Sequence, residues 1–163
     1  MLPFTEFKEL ASEAKKITLN EIHSMGISDT IRVFCSKTRP RFVGQYRGYS
    51  QFSKSGILFK LFPTITDIVL ETITEDEKVF GYSHVDLPTE VLRGMIDTLL
   101  HEYGHVIAEL MKCQRPRMYK FILSTWNDEE DYAEDFMRMI RYSDSAFENQ
   151  HNRIIKAFKK ELN

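Results

Sequence analysis

The sequence predicts an α+β fold in which an N-terminal helix packs on a four- to five-stranded, mostly antiparallel sheet. Three observations lead to this prediction. Apolar residues recur at helical spacing at the start of the chain, short β-branched and aromatic runs follow, and helical spacing returns near residue 89. A helix with the pattern His-Glu-x-x-His should follow the sheet, and two C-terminal helices should complete the chain. We expect a single domain over residues 1–163, with helix and sheet in 1–88 and a helical part in 89–163.

The composition narrows the class of protein. Apolar residues make up 42% of the chain and charged residues 28%, which is typical of a globular domain with a sizeable core. The net charge of -2 argues against general nucleic-acid binding, which usually requires a basic excess. No stretch reaches the roughly 18 apolar residues that span a bilayer, and no secretory signal is visible. We therefore expect a cytoplasmic monomer that binds neither nucleic acid nor membrane, with Cys35 and Cys113 as buried free thiols.

The first half of the chain should form one helix and then strands. Thr5 is a suitable N-cap, and the apolar spacing predicts a helix over about 5–24 that Gly26 ends. Alternation, aromatic content and turn residues then predict strands at Ile31–Cys35, Arg41–Phe52, Gly56–Phe62, Thr64–Thr74 and Lys78–Tyr82.

The second half begins with a strong helix signal. Thr89 is the expected cap of a helix that runs to about Lys112. We read 113–125, with its Pro116, as a basic connection that ends in a short apolar piece. Two helices should follow, one capped by Asn127 or Asp128 and one over about 145–162.

His101, Glu102 and His105 lie in the middle of the predicted second helix. Residues four apart project from the same face of a helix, so two imidazoles at this spacing can bind one Zn²⁺. Glu102 is then the candidate general base that acts on a zinc-bound water. Gly104 lowers helix propensity, and the close approach of another backbone would explain it. The sequence therefore predicts that 89–163 is a metal-binding part and that its metal is zinc.

The acidic helix after residue 127 offers the third ligand. Glu130 and Glu134 are four residues apart, so Glu130 can bind the metal while Glu134 accepts the free N–H of a ligating histidine. Ala133 between them would let the two helices approach. Asp131 and Asp135 have the same spacing and remain a second possibility. Two further histidines are not favoured as ligands. His84 is expected in the loop before the His-Glu-x-x-His helix, and His151 at an exposed position of the last helix.

Two segments, His101–His105 and Asn127–Phe136, resemble the zincin metallopeptidases of the gluzincin type. They are most similar to the peptidase domain of the anthrax toxin lethal factor-like family, in which a His-Glu-Phe-Gly-His helix precedes a similar acidic helix. The resemblance covers about residues 89–145. It implies a zincin-like fold in which His101, His105 and Glu130 are the zinc ligands, Glu102 is the general base and Glu134 supports a ligand.

That family carries a tyrosine shortly before its second helix, and this tyrosine helps to stabilise the oxyanion. The matching position here is near Leu123, and the nearest tyrosine is Tyr119. The resemblance therefore makes Tyr119 the candidate for this catalytic role.

Together these features predict a zinc metalloendopeptidase that hydrolyses peptide bonds of a protein substrate. The substrate is expected to lie along an edge strand near Val79–Ser83 by strand addition. One alternative is a catalytically silent zincin-fold protein with a regulatory or binding role. Another is a mobile-element peptidase that cleaves a repressor, since Glu130, Ala133 and Phe136 also resemble the Glu-x-x-Ala-x-x-Phe helix of those enzymes.

Overall fold

The computed structural model describes residues 4–38, 46–51, 65–73 and 87–162. In these residues the chain forms, in order, α1 (Phe4–Ser24), β1 (Thr30–Thr38), β2 (Tyr46–Gln51), β3 (Ile65–Ile73), α2 (Leu87–Gln114), α3 (Pro116–Trp126), α4 (Glu129–Tyr142) and α5 (Glu148–Leu162). The N-terminal helix agrees with its predicted range, and α2, α4 and α5 lie close to theirs. The described part of the chain is mostly helical.

The described strands form a mixed sheet in the order β1-β3-β2. β3 lies at the centre. It runs parallel to β1, with Ile65 opposite Thr30, and antiparallel to β2, with Thr72 opposite Tyr46. Parallel neighbours such as β1 and β3 cannot be joined by a tight hairpin. Here the chain between them is long and contains β2.

The prediction of a four- to five-stranded, mostly antiparallel sheet is wrong. The described residues form three strands, and one of the two strand pairings is parallel. Alternating apolar residues show that a segment can be a strand, but they carry no information about its partner or direction. The short segments between the predicted strands led to the incorrect expectation that neighbouring strands form hairpins. The predicted strands at Gly56–Phe62 and Lys78–Tyr82 lie outside the described residues.

A second correction concerns the connection after α2. Residues 113–125 were predicted to be a basic connection that ends in a short apolar piece. Helix α3 instead begins there, at Pro116, so three helices rather than two follow α2 in the described chain. Pro116 occupies the first turn of α3, where the missing N–H removes no helical hydrogen bond. The basic, proline-containing composition of this segment was taken to indicate a connection, although a proline in the first turn is compatible with a helix.

α2 is the central element of the described structure. It packs against α1, β2, β3, α3, α4 and α5. Apolar residues are buried around most of its circumference, among them Met95, Leu99, Val106 and Met111. Within the described ranges, no helix combines the length and the apolar character needed to cross a membrane. α2 is therefore held from several sides, which makes it a rigid platform for the residues it carries.

A buried carboxylate ties α2 to the start of β1. Asp29 is 1% exposed, and its side chain accepts hydrogen bonds from the Tyr103 hydroxyl at 2.7 Å and the Thr30 N–H at 2.7 Å. Burial, followed by the charge of Asp29, holds the pKa of Tyr103 well above its usual range. The phenol therefore stays a donor at neutral pH. Tyr103 lies within the His-Glu-x-x-His segment, so this bond anchors that segment to the sheet.

Tyr103→Phe should lower the free energy of unfolding by about 1–3 kcal/mol, because the buried Asp29 carboxylate loses a hydrogen-bond donor. Urea unfolding measures this change. Tyr142→Phe is the matched control, since the Tyr142 hydroxyl also donates to an aspartate but Tyr142 is 63% exposed. It should change stability by less than about 0.5 kcal/mol. Equal effects of the two variants would contradict the anchoring role of Tyr103.

His151 is fully buried among α3, α4 and α5, so the prediction of an exposed position is wrong. Its Nε2 lies 2.9 Å from Asp135 Oδ2, which also accepts the indole N–H of Trp126 at 2.9 Å. The His151 ring lies 4.7 Å from that of Trp126 and 5.5 Å from that of Tyr132, centroid to centroid. Helical spacing alone could not show that α3 and α4 cover this face of α5.

Stability should fall as the pH drops below about 6.5, in part because of His151. Burial lowers the pKa of His151 and outweighs the opposing effect of Asp135, so the unfolded chain takes up the proton before the folded one does. In His151→Phe this contribution is absent. The difference in unfolding free energy between wild type and variant should therefore shrink from pH 7 to pH 5. Parallel pH profiles of the two proteins would contradict this assignment.

Candidate metal centre

α2 presents His101 and His105 on one face, one helical turn apart. The centroids of their rings are 5.0 Å apart, and each side chain is 16% exposed. The buried residues on the other faces of α2 set the rotation of the helix and point both imidazoles toward α4.

α4 approaches this face of α2 very closely at Gly104. A β-carbon added there would lie 2.9 Å from the Cα of Ala133 and 3.2 Å from its Cβ. Ordinary van der Waals contacts begin near 3.4 Å, so any larger residue would push the helices apart. The prediction that Gly104 permits close approach of another backbone is confirmed, and Ala133 is the neighbour.

Glu130, in the first turn of α4, faces both imidazoles. Its Oε1 lies 2.7 Å from His101 Nε2, and its Oε2 lies 2.9 Å from His105 Nε2. One ligand atom from each of the three residues lies within 4.8 Å of the other two. The Glu130 side chain is 67% exposed, so this group opens to the surface.

The other nitrogen of each imidazole, Nδ1, is hydrogen-bonded to a further carboxylate, and the two histidines have different partners. His101 Nδ1 lies 3.0 Å from Glu134 Oε2, and His105 Nδ1 lies 2.8 Å from Glu129 Oε1. An ionised carboxylate can only accept, so each Nδ1 carries a proton and donates it. In a neutral imidazole the remaining nitrogen, Nε2, then has a lone pair.

The donor set fits a divalent metal ion. The Nε2 atoms of both imidazoles and the Glu130 carboxylate converge on one point, where either Nε2–H protons or a bound cation compensates the carboxylate charge. Two histidines and one carboxylate are a zinc ligand set that leaves a fourth position for water or substrate. His101, His105 and Glu130 are therefore the residues that would hold the ion.

The charges around the imidazoles also favour a cation. Burial opposes protonation of His105, but the hydrogen bond to Glu129 and the charges of Glu130 and Glu102 outweigh it, so the pKa of His105 is raised. Burial likewise disfavours the charged form of Glu129. Its hydrogen bonds with His105 and Tyr119 dominate, and the pKa of this carboxyl is lowered. The site is thus strongly anionic and stabilises positive charge at its centre.

Glu102 lies beside the same group. It is 9% exposed and borders a cavity of about 300 Å³ next to His101. Asp97, Thr98, Glu130, Glu134 and Met137 also line this cavity. A water or a substrate group that fills it can contact Glu102, His101 and Glu130 together.

The structure distinguishes the two carboxylate pairs that spacing left open. Glu130 and Glu134 face α2, whereas Asp135 points to the opposite side and binds Trp126 and His151. Asp131 supplies its backbone N–H to the Asp128 side chain, which caps α4 at 2.7 Å. Neither aspartate of the alternative pair lies in the group around His101 and His105.

Tyr119 lies in α3, and its hydroxyl donates to Glu129 Oε2 at 3.0 Å. Burial, followed by that hydrogen bond, raises the pKa of Tyr119 to about 12. The phenol is therefore neutral and remains a donor at physiological pH. Through Glu129, the Tyr119 hydroxyl is connected to the His105 imidazole.

Sequence reasoning missed Glu129. An acidic residue in the first turn of a helix is usually explained by the helix dipole, and that explanation concealed a specific contact. The available signal was the run Asp128-Glu129-Glu130-Asp131, which exceeds what the dipole requires. Cys113 is exposed and Cys35 is half-buried, so the prediction of buried thiols is wrong for Cys113.

No family model, curated protein or solved structure matches this chain. Function must therefore be inferred from the geometry of the site itself.

Gly104→Ala should destabilise the protein by about 1–3 kcal/mol, because its β-carbon would overlap the Ala133 backbone. Helix propensity alone would raise the free energy of unfolding of the alanine variant by about 1 kcal/mol, so the expected change has the opposite sign. Thermal unfolding measures the change. Ser12→Ala, at an exposed position of α1, is the control for propensity and should be neutral or stabilising. A stabilised Gly104→Ala protein would contradict the close approach.

Proposed function

We propose that this protein is a zinc-dependent metallopeptidase that hydrolyses peptide bonds of a protein or peptide substrate. The observation that supports the proposal best is the double contact of each imidazole. Glu134 and Glu129 accept hydrogen bonds from the Nδ1 atoms, and both Nε2 atoms face Glu130. With Nδ1 engaged in this way, a neutral imidazole has its Nε2 lone pair available for a metal, and both Nε2 atoms lie beside the same carboxylate.

His101, His105 and Glu130 would hold the zinc ion, which would supply Lewis-acid chemistry to the scissile carbonyl and to the attacking water. The protein's own residues supply the proton transfers. Glu102 accepts a proton from the water as its oxygen forms the new C–O bond, and then donates that proton to the amide nitrogen, so that the C–N bond breaks and the amine departs. The low exposure of Glu102 limits competing solvation of its carboxylate.

Access to the site supports action on an external substrate. The exposed Glu130 carboxylate and the adjoining cavity leave the metal position open on one side. The predicted strand addition near Val79–Ser83 lies outside the described residues and remains part of the proposal. Cys35 and Cys113 form no disulfide in the described structure, which fits the proposed cytoplasmic location because that compartment keeps thiols reduced.

Glu102→Gln should retain zinc but lose at least about 100-fold in peptide cleavage, because the amide cannot accept the proton of the attacking water. Zinc content by elemental analysis and cleavage of a mixed peptide library measure the two properties separately. His101→Ala should lose zinc itself. His23→Ala, which removes an exposed histidine of α1, should retain both properties.

Undiminished cleavage by Glu102→Gln would refute the role of Glu102. A wild-type protein that binds zinc but cleaves no peptide would favour the catalytically silent alternative. A wild-type protein that binds no zinc would overturn the proposal as a whole.

A further inference from the structure

We infer that Tyr119 and Glu129 are positioning residues for His105: the phenol holds the Glu129 carboxylate, and the carboxylate holds the imidazole with Nε2 directed at the metal. This inference rests on the proposed zinc site. It assigns Tyr119 a role that differs from the oxyanion contact implied by the resemblance.

The first step is the geometry of Glu129. Its two carboxylate oxygens have different partners: Oε1 lies 2.8 Å from His105 Nδ1, and Oε2 accepts from the Tyr119 hydroxyl at 3.0 Å. The Glu129 side chain is only 23% exposed. With both oxygens engaged, the carboxylate has little freedom to rotate, and its orientation fixes that of the imidazole.

The second step is the origin of the three groups. Tyr119 belongs to α3, Glu129 to α4 and His105 to α2, so two hydrogen bonds connect three helices at the metal position. His101 has a comparable support, in which Glu134 contacts its Nδ1 while Arg138 Nε lies 3.5 Å from the other Glu134 oxygen. Each ligating histidine is thus held by a carboxylate that has a further partner.

The third step is the choice between two roles for Tyr119. An oxyanion donor must direct its O–H toward the substrate carbonyl. The Tyr119 hydroxyl has one proton, and it is donated to Glu129 in the described arrangement. Loss of this hydroxyl should therefore act first on His105 and on metal retention. Residues that support a metal ligand in this way typically affect metal affinity by 10- to 100-fold.

The experiment measures the zinc dissociation constant by competition with a chromophoric chelator. The proteins are wild type, Tyr119→Phe, Glu129→Gln and the double variant, with circular dichroism to verify folding. Thr125→Val is the matched control, because it removes another hydroxyl from α3 that contacts only the helix backbone in the described structure. Cleavage of one peptide substrate is measured in limiting and in excess zinc.

We expect Tyr119→Phe to weaken zinc binding by about 2- to 10-fold, the effect of one hydrogen bond. Glu129→Gln should weaken it by about 10-fold or more. The double variant should match Glu129→Gln within about 2-fold, because Tyr119 acts through the carboxylate. Excess zinc should restore most of the kcat that Tyr119→Phe loses in limiting zinc, and Thr125→Val should bind zinc as the wild type does.

Unchanged zinc affinity in Tyr119→Phe would overturn the inference, whether or not kcat falls. A fall in kcat that excess zinc does not restore would instead assign Tyr119 to the oxyanion. Additive effects in the double variant would refute the connection through Glu129. In each of these cases wild-type zinc binding leaves the proposed function standing, whereas a wild type without zinc would remove both.

Discussion

The close approach of α2 and α4 at Gly104 and Ala133 is the constraint on which the site depends. Without a side chain at Gly104, the two backbones come near enough for the short reach of a glutamate to span the gap. Glu130 can then contact imidazoles one turn apart on the facing helix. A wider separation would leave the same residues in the sequence but too far apart to share one ion.

The site also depends on a balance of charge. Glu129, Glu130 and Glu134 contact the two imidazoles, and Glu102 is adjacent. Such a concentration of negative charge in a half-buried position is unfavourable unless protons or a cation neutralise it. The Nδ1 contacts determine which nitrogen carries the proton, and so they leave Nε2 to the cation. The arrangement thus leaves one position among these carboxylates where a cation would be stabilised.

Local patterns predicted the elements better than their arrangement. The helices α1, α2, α4 and α5 follow from apolar spacing and capping residues, which act within a few residues of the chain. α3 was missed because the basic segment with Pro116 was predicted to be a connection, although the first turn of a helix accepts proline. The sheet prediction was wrong because strand partners and directions depend on distant segments. The contacts of His151 and Glu129 were missed because spacing along one helix cannot reveal partners on other helices.

The sequence by itself determined that His101, Glu102 and His105 share one helix and that the two histidines face the same way, since helical geometry fixes the relation between residues four apart. Only the tertiary structure decided which acidic residues of α4 meet them. That choice depends on the rotation of α4 about its axis, and the rotation is set by the contact of Ala133 with Gly104 and by the burial of Tyr132 and Phe136. Packing across two helices is a property of the folded chain, and no local pattern encodes it.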